Sequence, residues 1–167
     1  MSVAELTDMR QYLTFRLGSE IFAIDVAKVR EVLDLTSITP IPRTPELMAG
    51  VINLRGSVVP VVDLRQCLAM AKTVNTRNTC IVVVEVDLDG ESTIIGALAD
   101  SVEEVIDLDS TQIQPAPRIG MQIRVDFIRG MGKRDNSFVM ILDIDRVFTA
   151  EELRGAGGES ITTDVAA

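Results

Sequence analysis

The chain is built from two related halves, because similar short segments recur at a nearly constant distance along the sequence. Four pairs carry the repeat: Gly18 and Gly90 (72 residues apart), Asp25 and Asp100 (75), Arg55-Gly56 and Arg129-Gly130 (74), and Asp63 and Asp143 (80). In a chain of 167 residues each half has only about 60 to 70 residues. The repeat therefore predicts two small units of the same kind that pack against each other.

Both halves are filled with short runs of Val and Ile separated by Gly, Asp and Asn, the pattern of β-strands and turns. Residues 12–17 alternate apolar and polar side chains and turn at Gly18 into residues 21–24, which predicts a hairpin. A second hairpin is predicted over residues 50–63, with its turn at Arg55-Gly56. Pro60 cannot donate a ladder hydrogen bond and is expected to face a sheet edge.

The second half repeats this order of elements. Strands are predicted over residues 81–86, 92–99, 127–130 and 138–142. Asp63 and Asp143 are predicted N-caps of short helices over residues 64–70 and 144–148, and a further short helix is predicted over residues 44–50. Each half then has some five strands, which suits a small closed or nearly closed barrel without free edges.

The predicted fold is thus mainly β: two tandem five-stranded barrels that share a core. Residues 10–153 form one domain, with a first sub-barrel at about 10–74 and a second at about 75–153. The predicted junction is residues 75–78, which are too few to act as a flexible linker. Residues 154–167 are expected to form a flexible C-terminal tail.

Composition excludes several classes of function. The chain has no His, and so lacks the usual general base and the commonest metal ligand. The net charge of −9 disfavours nucleic acid and anionic membranes as partners. Two cysteines are too few for a zinc site or a disulfide scaffold, and no apolar stretch approaches the ~18 residues of a membrane helix. We expect a cytoplasmic protein without catalytic residues, metal or cofactor.

The candidate chemistry is confined to carboxylates at predicted strand ends: Asp25, Asp63, Asp100 and Asp143. Two such groups suffice for glycoside hydrolysis, but their positions before turns and helices favour capping. Acidic residues are concentrated in residues 85–109 and basic residues in residues 118–134, which indicates either a solvated face or a surface that steers partners. A carboxylate-based hydrolase and a single-strand nucleic-acid binder remain alternatives to a protein-binding module.

Residues 50–65 read GVINLRGSVVPVVDLR, and this segment resembles the CheW family of chemotaxis coupling proteins. The asparagine-leucine-arginine-glycine turn followed by the valine-rich strand is the specific part of the likeness. The resemblance extends to residues 12–18, 22–26, 29–32 and 113–117, and covers roughly residues 10–153.

This resemblance implies two SH3-like five-stranded β-barrels and a non-enzymatic adaptor without a cofactor. Such an adaptor couples methyl-accepting chemoreceptors to the histidine kinase CheA, and is recruited from the cytoplasm to membrane-associated receptor arrays. In the family the first barrel docks on the regulatory domain of the kinase, and the groove between the barrels receives the receptor tip. A coupling protein of a related pathway, such as pilus motility, is the alternative.

Motif matching to the family implies eight partner-binding positions: Val29, Glu31, Gly50, Asn53, Arg55, Gly56, Val102 and Val105. Ile119 matches a second contact with the kinase. Arg55 on a tight turn is suited to paired hydrogen bonds with a partner. The alternative is that Arg55 bonds to its own barrel.

Overall fold

A computed structural model describes residues 9–68, 70–88, 90–115, 127–134 and 137–148. The strands in these ranges are β1 (Arg10–Leu17), β2 (Glu20–Asp25), β3 (Val29–Asp34), β4 (Met48–Leu54), β5 (Ser57–Asp63), β6 (Cys80–Leu88), β7 (Glu91–Ala99), β8 (Ser101–Leu108), β9 (Ile113–Gln114), β10 (Ile128–Arg134) and β11 (Ser137–Leu142). Two one-turn helices, α1 (Leu64–Cys67) and α2 (Ile144–Val147), and two 3-10 turns, Val26–Lys28 and Ser110–Gln112, complete the elements. No helix within these ranges combines the length and the apolar character that crossing a bilayer requires. The predicted mainly β fold class is confirmed.

The strands form two sheets that exchange strands between the halves of the chain. Sheet A has the order β8-β1-β2-β11-β10-β9, and sheet B has the order β3-β6-β7-β5-β4. Each sheet thus combines the first hairpin of one half, β1–β2 or β6–β7, with strands from the end of the other half. The two sheets therefore do not follow the division of the chain that was predicted at residues 74 and 75.

The exchange preserves the internal repeat. Five strands of the first half match five strands of the second half in order: β1 matches β6, β2 matches β7, β3 matches β8, β4 matches β10 and β5 matches β11. Each sheet also contains one parallel contact between the halves, β11 with β2 and β5 with β7. Sheet B has the predicted five strands, and sheet A has a sixth, the two-residue strand β9.

Three clusters of buried apolar side chains lie in and between the sheets. The largest takes residues from both sheets and contains Phe15 and Phe22, whose rings stack at a centroid distance of 6.1 Å. A smaller cluster around Tyr12 and Ile141 belongs to sheet A, and another around Ile52 and Val83 belongs to sheet B. This arrangement is the shared core expected of two packed barrels. We call the largest cluster the shared core below.

The carboxylates at strand ends are mostly caps, as their positions predicted. The side chain of Asp63 accepts a hydrogen bond from the backbone amide of Arg65 at 3.1 Å and begins α1. Asp143 caps α2 in the same way, and Asp25 caps the 3-10 turn that follows β2. Asp100 is the exception, because it caps no helix and instead bonds to Arg65 and to the amide of Gly18.

Two local predictions are wrong. Residues 44–50 form no helix: the chain makes a turn, with the Met48 amide 2.9 Å from the Pro45 carbonyl oxygen, and enters β4 at Met48. Pro60 does not lie on an edge strand, because β5 lies between β4 and β7. The proline is tolerated since the ladder between β5 and β7 begins only at Val61.

Candidate partner-binding surfaces

The β4–β5 hairpin presents Arg55 at its tip. Leu54 pairs with Ser57, and the two residues between them have φ angles of 50° for Arg55 and 87° for Gly56. Positive φ at both central residues defines the hairpin turn whose twist matches the flanking strands. The Oδ1 atom of Asn53 accepts a hydrogen bond from the Gly56 amide at 2.7 Å and fixes this turn. The Arg55 side chain therefore projects from a rigid base and is 73 % exposed.

The Arg55 guanidinium forms a paired hydrogen bond with the carboxylate of Glu31. The Nη1–Oε1 distance is 2.6 Å and the Nη2–Oε2 distance is 2.8 Å. The hydrogen bond from Arg55 lowers the pKa of Glu31, and the same bond raises the pKa of Arg55. Of the two possibilities for Arg55, the structure thus shows the contact with its own barrel. The same fork geometry fits a partner carboxylate or carbonyl group if the pair opens.

The Glu31–Arg55 pair also shows that sheet B is curled. Glu31 lies on β3 and Arg55 lies at the end of β4, and these strands are at opposite ends of the sheet order. A flat sheet of five strands would keep such side chains about 19 Å apart at a spacing of 4.7–4.9 Å per strand. The contact therefore bridges the open seam of a barrel.

Two valines outside the expected positions are exposed: Val58 beside this pair, and Val32 on the opposite face of β3. Val58 on β5 is 74 % exposed and Val32 on β3 is 42 % exposed. Val58, Arg55 and Glu31 line one groove, together with Leu54 and Ile94. Strand alternation was a signal for Val58, because the turn at Arg55-Gly56 fixes which residues of β5 point outward. No comparable signal separated Val32 from a core residue.

Two of the expected positions are buried or half-buried in this fold. Gly50 is buried, and a Cβ atom at this position would lie 2.2 Å from the Thr39 carbonyl oxygen. Val29 is half-buried and packs against the shared core. Gly50 has no side chain and its backbone is buried, so it offers no exposed contact. Val29 lies at the edge of the shared core, two residues before Glu31 on β3.

The remaining positions lie on β8, at the end of sheet A. Val102 is half-buried against the shared core, whereas Val105 is 51 % exposed. Val29 and Val102 therefore flank the junction between the two barrels, and Val105 extends the apolar surface outward along β8. Ile119 lies outside the described residues. The structure thus brings together Glu31, Asn53, Arg55 and Gly56, and places Val102 and Val105 on a separate strand.

The sequence model of the CheW-like domain matches residues 11–152, which spans both sheets. The chain belongs to the CheW family. It is 32 % identical over 144 residues to the chemotaxis protein CheW of Klebsiella aerogenes, covering 86 % of this chain and 84 % of that protein. It is 33 % identical over 147 residues to the chemotaxis protein CheW of Rhizobium meliloti, covering 88 % and 92 %.

A solved structure supports the same assignment. The crystal structure of the scaffolding protein TtCheW from Thermoanaerobacter tengcongensis matches with a TM-score of 0.73 and 34 % identity, over 83 % of this chain and 87 % of that one. The CheW family has two SH3-like β domains, which agrees with the two sheets and the shared core described above. This protein is therefore a chemotaxis scaffold of the CheW type.

Proposed function

We propose that this protein couples chemoreceptors to a CheA-type histidine kinase and helps to build the receptor array. The observation that carries the proposal is the match of the CheW-like domain to residues 11–152, which includes both exposed surfaces. We assign it an adaptor role without catalysis or cofactor. Its place in the cell is the cytoplasm, from which it joins receptor arrays at the membrane.

The surface proposed for the kinase is the β4–β5 hairpin with the adjacent part of β3. It offers a guanidinium on a rigid turn, a carboxylate beside it and one exposed valine, Val58. Arginine at a protein interface can make paired hydrogen bonds that fix the orientation of the partner, and exposed apolar side chains beside it supply buried area. The regulatory domain of the kinase is the partner that we assign to this surface.

The surface proposed for the receptor tip is the junction between the barrels and the outer part of β8. Val29 and Val102 line the edge of the shared core, and Val105 stands out from β8. A helical hairpin fits a groove between two barrels by placing an apolar stripe along it. Ile119 remains a proposed second contact with the kinase.

Two separate surfaces give this proposal a physical basis in avidity. Each contact alone can be of micromolar strength, which corresponds to about −8 kcal/mol. Linking such contacts within an array raises the effective concentration of each partner, so the assembly holds together more firmly than any single contact.

Titration calorimetry tests the proposal. The full chain is titrated with the regulatory domain of the CheA-type kinase from its own organism, and separately with a receptor-tip fragment. We expect saturable binding to both. If the protein binds neither the kinase domain nor the receptor tip, the coupling role is refuted. If it binds only the kinase and receptor of a motility system, the related pathway is supported instead.

Two variants with matched controls assign the surfaces. Arg55→Ala is expected to weaken kinase binding about tenfold, as loss of a charge-assisted contact implies, and to leave receptor binding unchanged. Val105→Glu is expected to weaken receptor binding and to leave kinase binding unchanged. Arg77→Ala and Val74→Glu are the controls, because both residues are exposed and lie outside the proposed surfaces. If a surface variant binds like its control, that residue's assignment is wrong.

A further inference from the structure

Two strands at the ends of the sheets contain the same four-residue pattern, in which a valine, any residue, a glutamate and a valine follow one another. β3 begins with Val29-Arg30-Glu31-Val32 and β8 contains Val102-Glu103-Glu104-Val105, so the second pattern follows the first by 73 residues. The first valine is half-buried against the shared core in both strands. The second is exposed in both, at 42 % for Val32 and 51 % for Val105. The repeat therefore preserves an exposed valine on each end strand.

Both patterns contain an irregularity in strand pairing at the same place. On β3 the register with β6 shifts between Val29 and Glu31, and on β8 the register with β1 shifts between Val102 and Val105. In each case the end strand has one residue more than its partner, as in a β-bulge. Bulges at sheet ends redirect a side chain and are built features of a fold.

Each pattern also carries a glutamate that pairs with an arginine from the hairpin opposite. The Glu104 carboxylate lies 2.6 Å from Nη2 of Arg134, as Glu31 lies 2.6 Å from Nη1 of Arg55. Arg134 is the last residue of β10, and β10 and β8 are not adjacent in sheet A. The Glu104–Arg134 pair therefore bridges the seam of the barrel of sheet A, in the way that the Glu31–Arg55 pair bridges that of sheet B.

Further contacts fix the backbone directly before Val105. The hydroxyl of Thr14, which is fully buried, donates to the Glu104 carbonyl oxygen at 2.7 Å and accepts from the Glu104 amide at 3.0 Å. The carboxylate of Glu103 pairs with Arg16 at 2.9 Å. Glu104 is thus held through its backbone by β1 and through its side chain by β10, and Val105 follows it on a strand that pairs on one side only within the described residues.

We infer that Glu104 and Arg134 are positioning residues for the receptor-binding surface. Their ion pair holds the bulged segment of β8 so that Val105 faces the receptor's helical tip, in continuity with Val102 at the barrel junction. This inference rests on the proposed function. Exposed ion pairs contribute little to folding stability, and both side chains are substantially exposed, at 35 % for Arg134 and 53 % for Glu104. The pair therefore acts mainly on the binding surface.

A charge-exchange experiment tests the inference. Glu104→Gln and Arg134→Gln are each expected to weaken binding of a receptor-tip fragment about fivefold, the factor set by an exposed ion pair of about 1 kcal/mol. The combined exchange, Glu104→Arg with Arg134→Glu, is expected to restore binding. Binding of the kinase regulatory domain and the urea midpoint of unfolding should stay unchanged in all variants. Glu85→Gln is the matched control, because Glu85 is in a comparable exposed pair with Arg30 on sheet B.

The outcomes separate this inference from the proposed function. If wild-type protein fails to bind the receptor tip, the proposed function fails and the inference fails with it. If wild-type protein binds and Glu104→Gln binds equally well, only the inference is refuted. If the variants bind the receptor tip and the kinase domain equally weakly, the ion pair has a general structural role. If the charge exchange does not restore receptor binding, one of the two side chains contacts the receptor directly. Either result overturns the positioning role.

Discussion

Gly50 offers a sharp test, because it was expected at a partner contact and the structure makes it a packing position. Its φ angle is +146°, and a Cβ atom would lie 2.2 Å from the Thr39 carbonyl oxygen and 2.8 Å from Cγ2 of Ile38. The backbone here carries two hydrogen bonds between Thr39 and Val51, each of 2.9 Å. The change Gly50→Ala must therefore move the segment around Thr39 away from β4.

The magnitude follows from these contacts. Loss of two hydrogen bonds costs about 2 kcal/mol, and an alanine at this φ adds strain of about 1 to 3 kcal/mol. We expect Gly50→Ala to lower the free energy of unfolding by about 3 to 5 kcal/mol, a large part of the 5–15 kcal/mol of a typical domain. Gly90→Ala is the control, since its φ is +85° but no atom lies within 4 Å of the added Cβ; it should cost about 1 kcal/mol.

Urea unfolding followed by circular dichroism measures both variants. The Gly50→Ala midpoint should fall far below that of Gly90→Ala, and kinase binding should be retained in the folded fraction. If Gly50→Ala unfolds within about 1 kcal/mol of wild type and still loses partner binding, the packing argument is refuted and Gly50 is a contact residue.

Further predictions concern three carboxylates: Asp63, which is buried, and Asp100 and Asp143, which are partly exposed. Burial raises the pKa of Asp100. The hydrogen bonds from Arg65 and from the Gly18 amide, together with the charge of Arg65, lower it by more, so the pKa lies below the ordinary 3.8. The ionised form of Asp100 therefore stabilises the fold at neutral pH, and this stabilisation is lost as the pH falls through the folded-state pKa. The difference in unfolding free energy between wild type and Asp100→Asn should accordingly shrink below about pH 4. Asp63→Asn should cost about 2 to 3 kcal/mol in urea unfolding, because the 2 % exposed carboxylate accepts from the amide and the hydroxyl of Thr73 at 2.9 Å and 2.6 Å. The equivalent Asp143→Asn should cost less than about 1 kcal/mol, since its bond to the Arg146 amide is long at 3.4 Å; equal losses would contradict this account.

The sequence was sufficient for elements with a local cause. The turns at Gly18 and at Arg55-Gly56 and the caps at Asp63 and Asp143 are confirmed, because each depends on backbone geometry or on hydrogen bonds within a few residues. The pairing of Arg55-Gly56 with Arg129-Gly130 in the repeat is wrong. Arg55-Gly56 is a hairpin turn, whereas Arg129-Gly130 lies within β10.

The segment 44–50 shows where local patterns mislead. Its cap residue, proline and glycine suit a short helix, yet Gly50 serves a close approach of β4 to the segment around Thr39. That approach pairs Thr39 with Val51, and both residues lie just outside the segment 44–50. The sequence therefore predicted correctly that Gly50 is a position that needs glycine. It was wrong about the reason, because Gly50 ends no helix.

The distribution of charged residues along the chain was also an incomplete guide to the structure. The acidic stretch of residues 85–109 suggested a solvated or steering face, but several of its carboxylates pair with distant arginines. These pairs are Glu85 with Arg30, Asp100 with Arg65, Glu103 with Arg16 and Glu104 with Arg134. The fold brings arginines from other strands and, for Arg65, from α1 to this stretch, and the order of charges along the chain does not contain that information.

The sequence by itself determined the hairpin strands, the tight turns, the caps and the duplication, since these follow from side-chain alternation and short-range hydrogen bonding. The end strands β3 and β8 were not predicted, because each pairs with a strand from the other half of the chain. Only the tertiary structure decided that the halves exchange strands and that Glu31 meets Arg55 across a barrel seam. The physical reason is that strand partners are chosen by burial of apolar faces over the whole chain. A strand carries the same alternation whichever half supplies its neighbour.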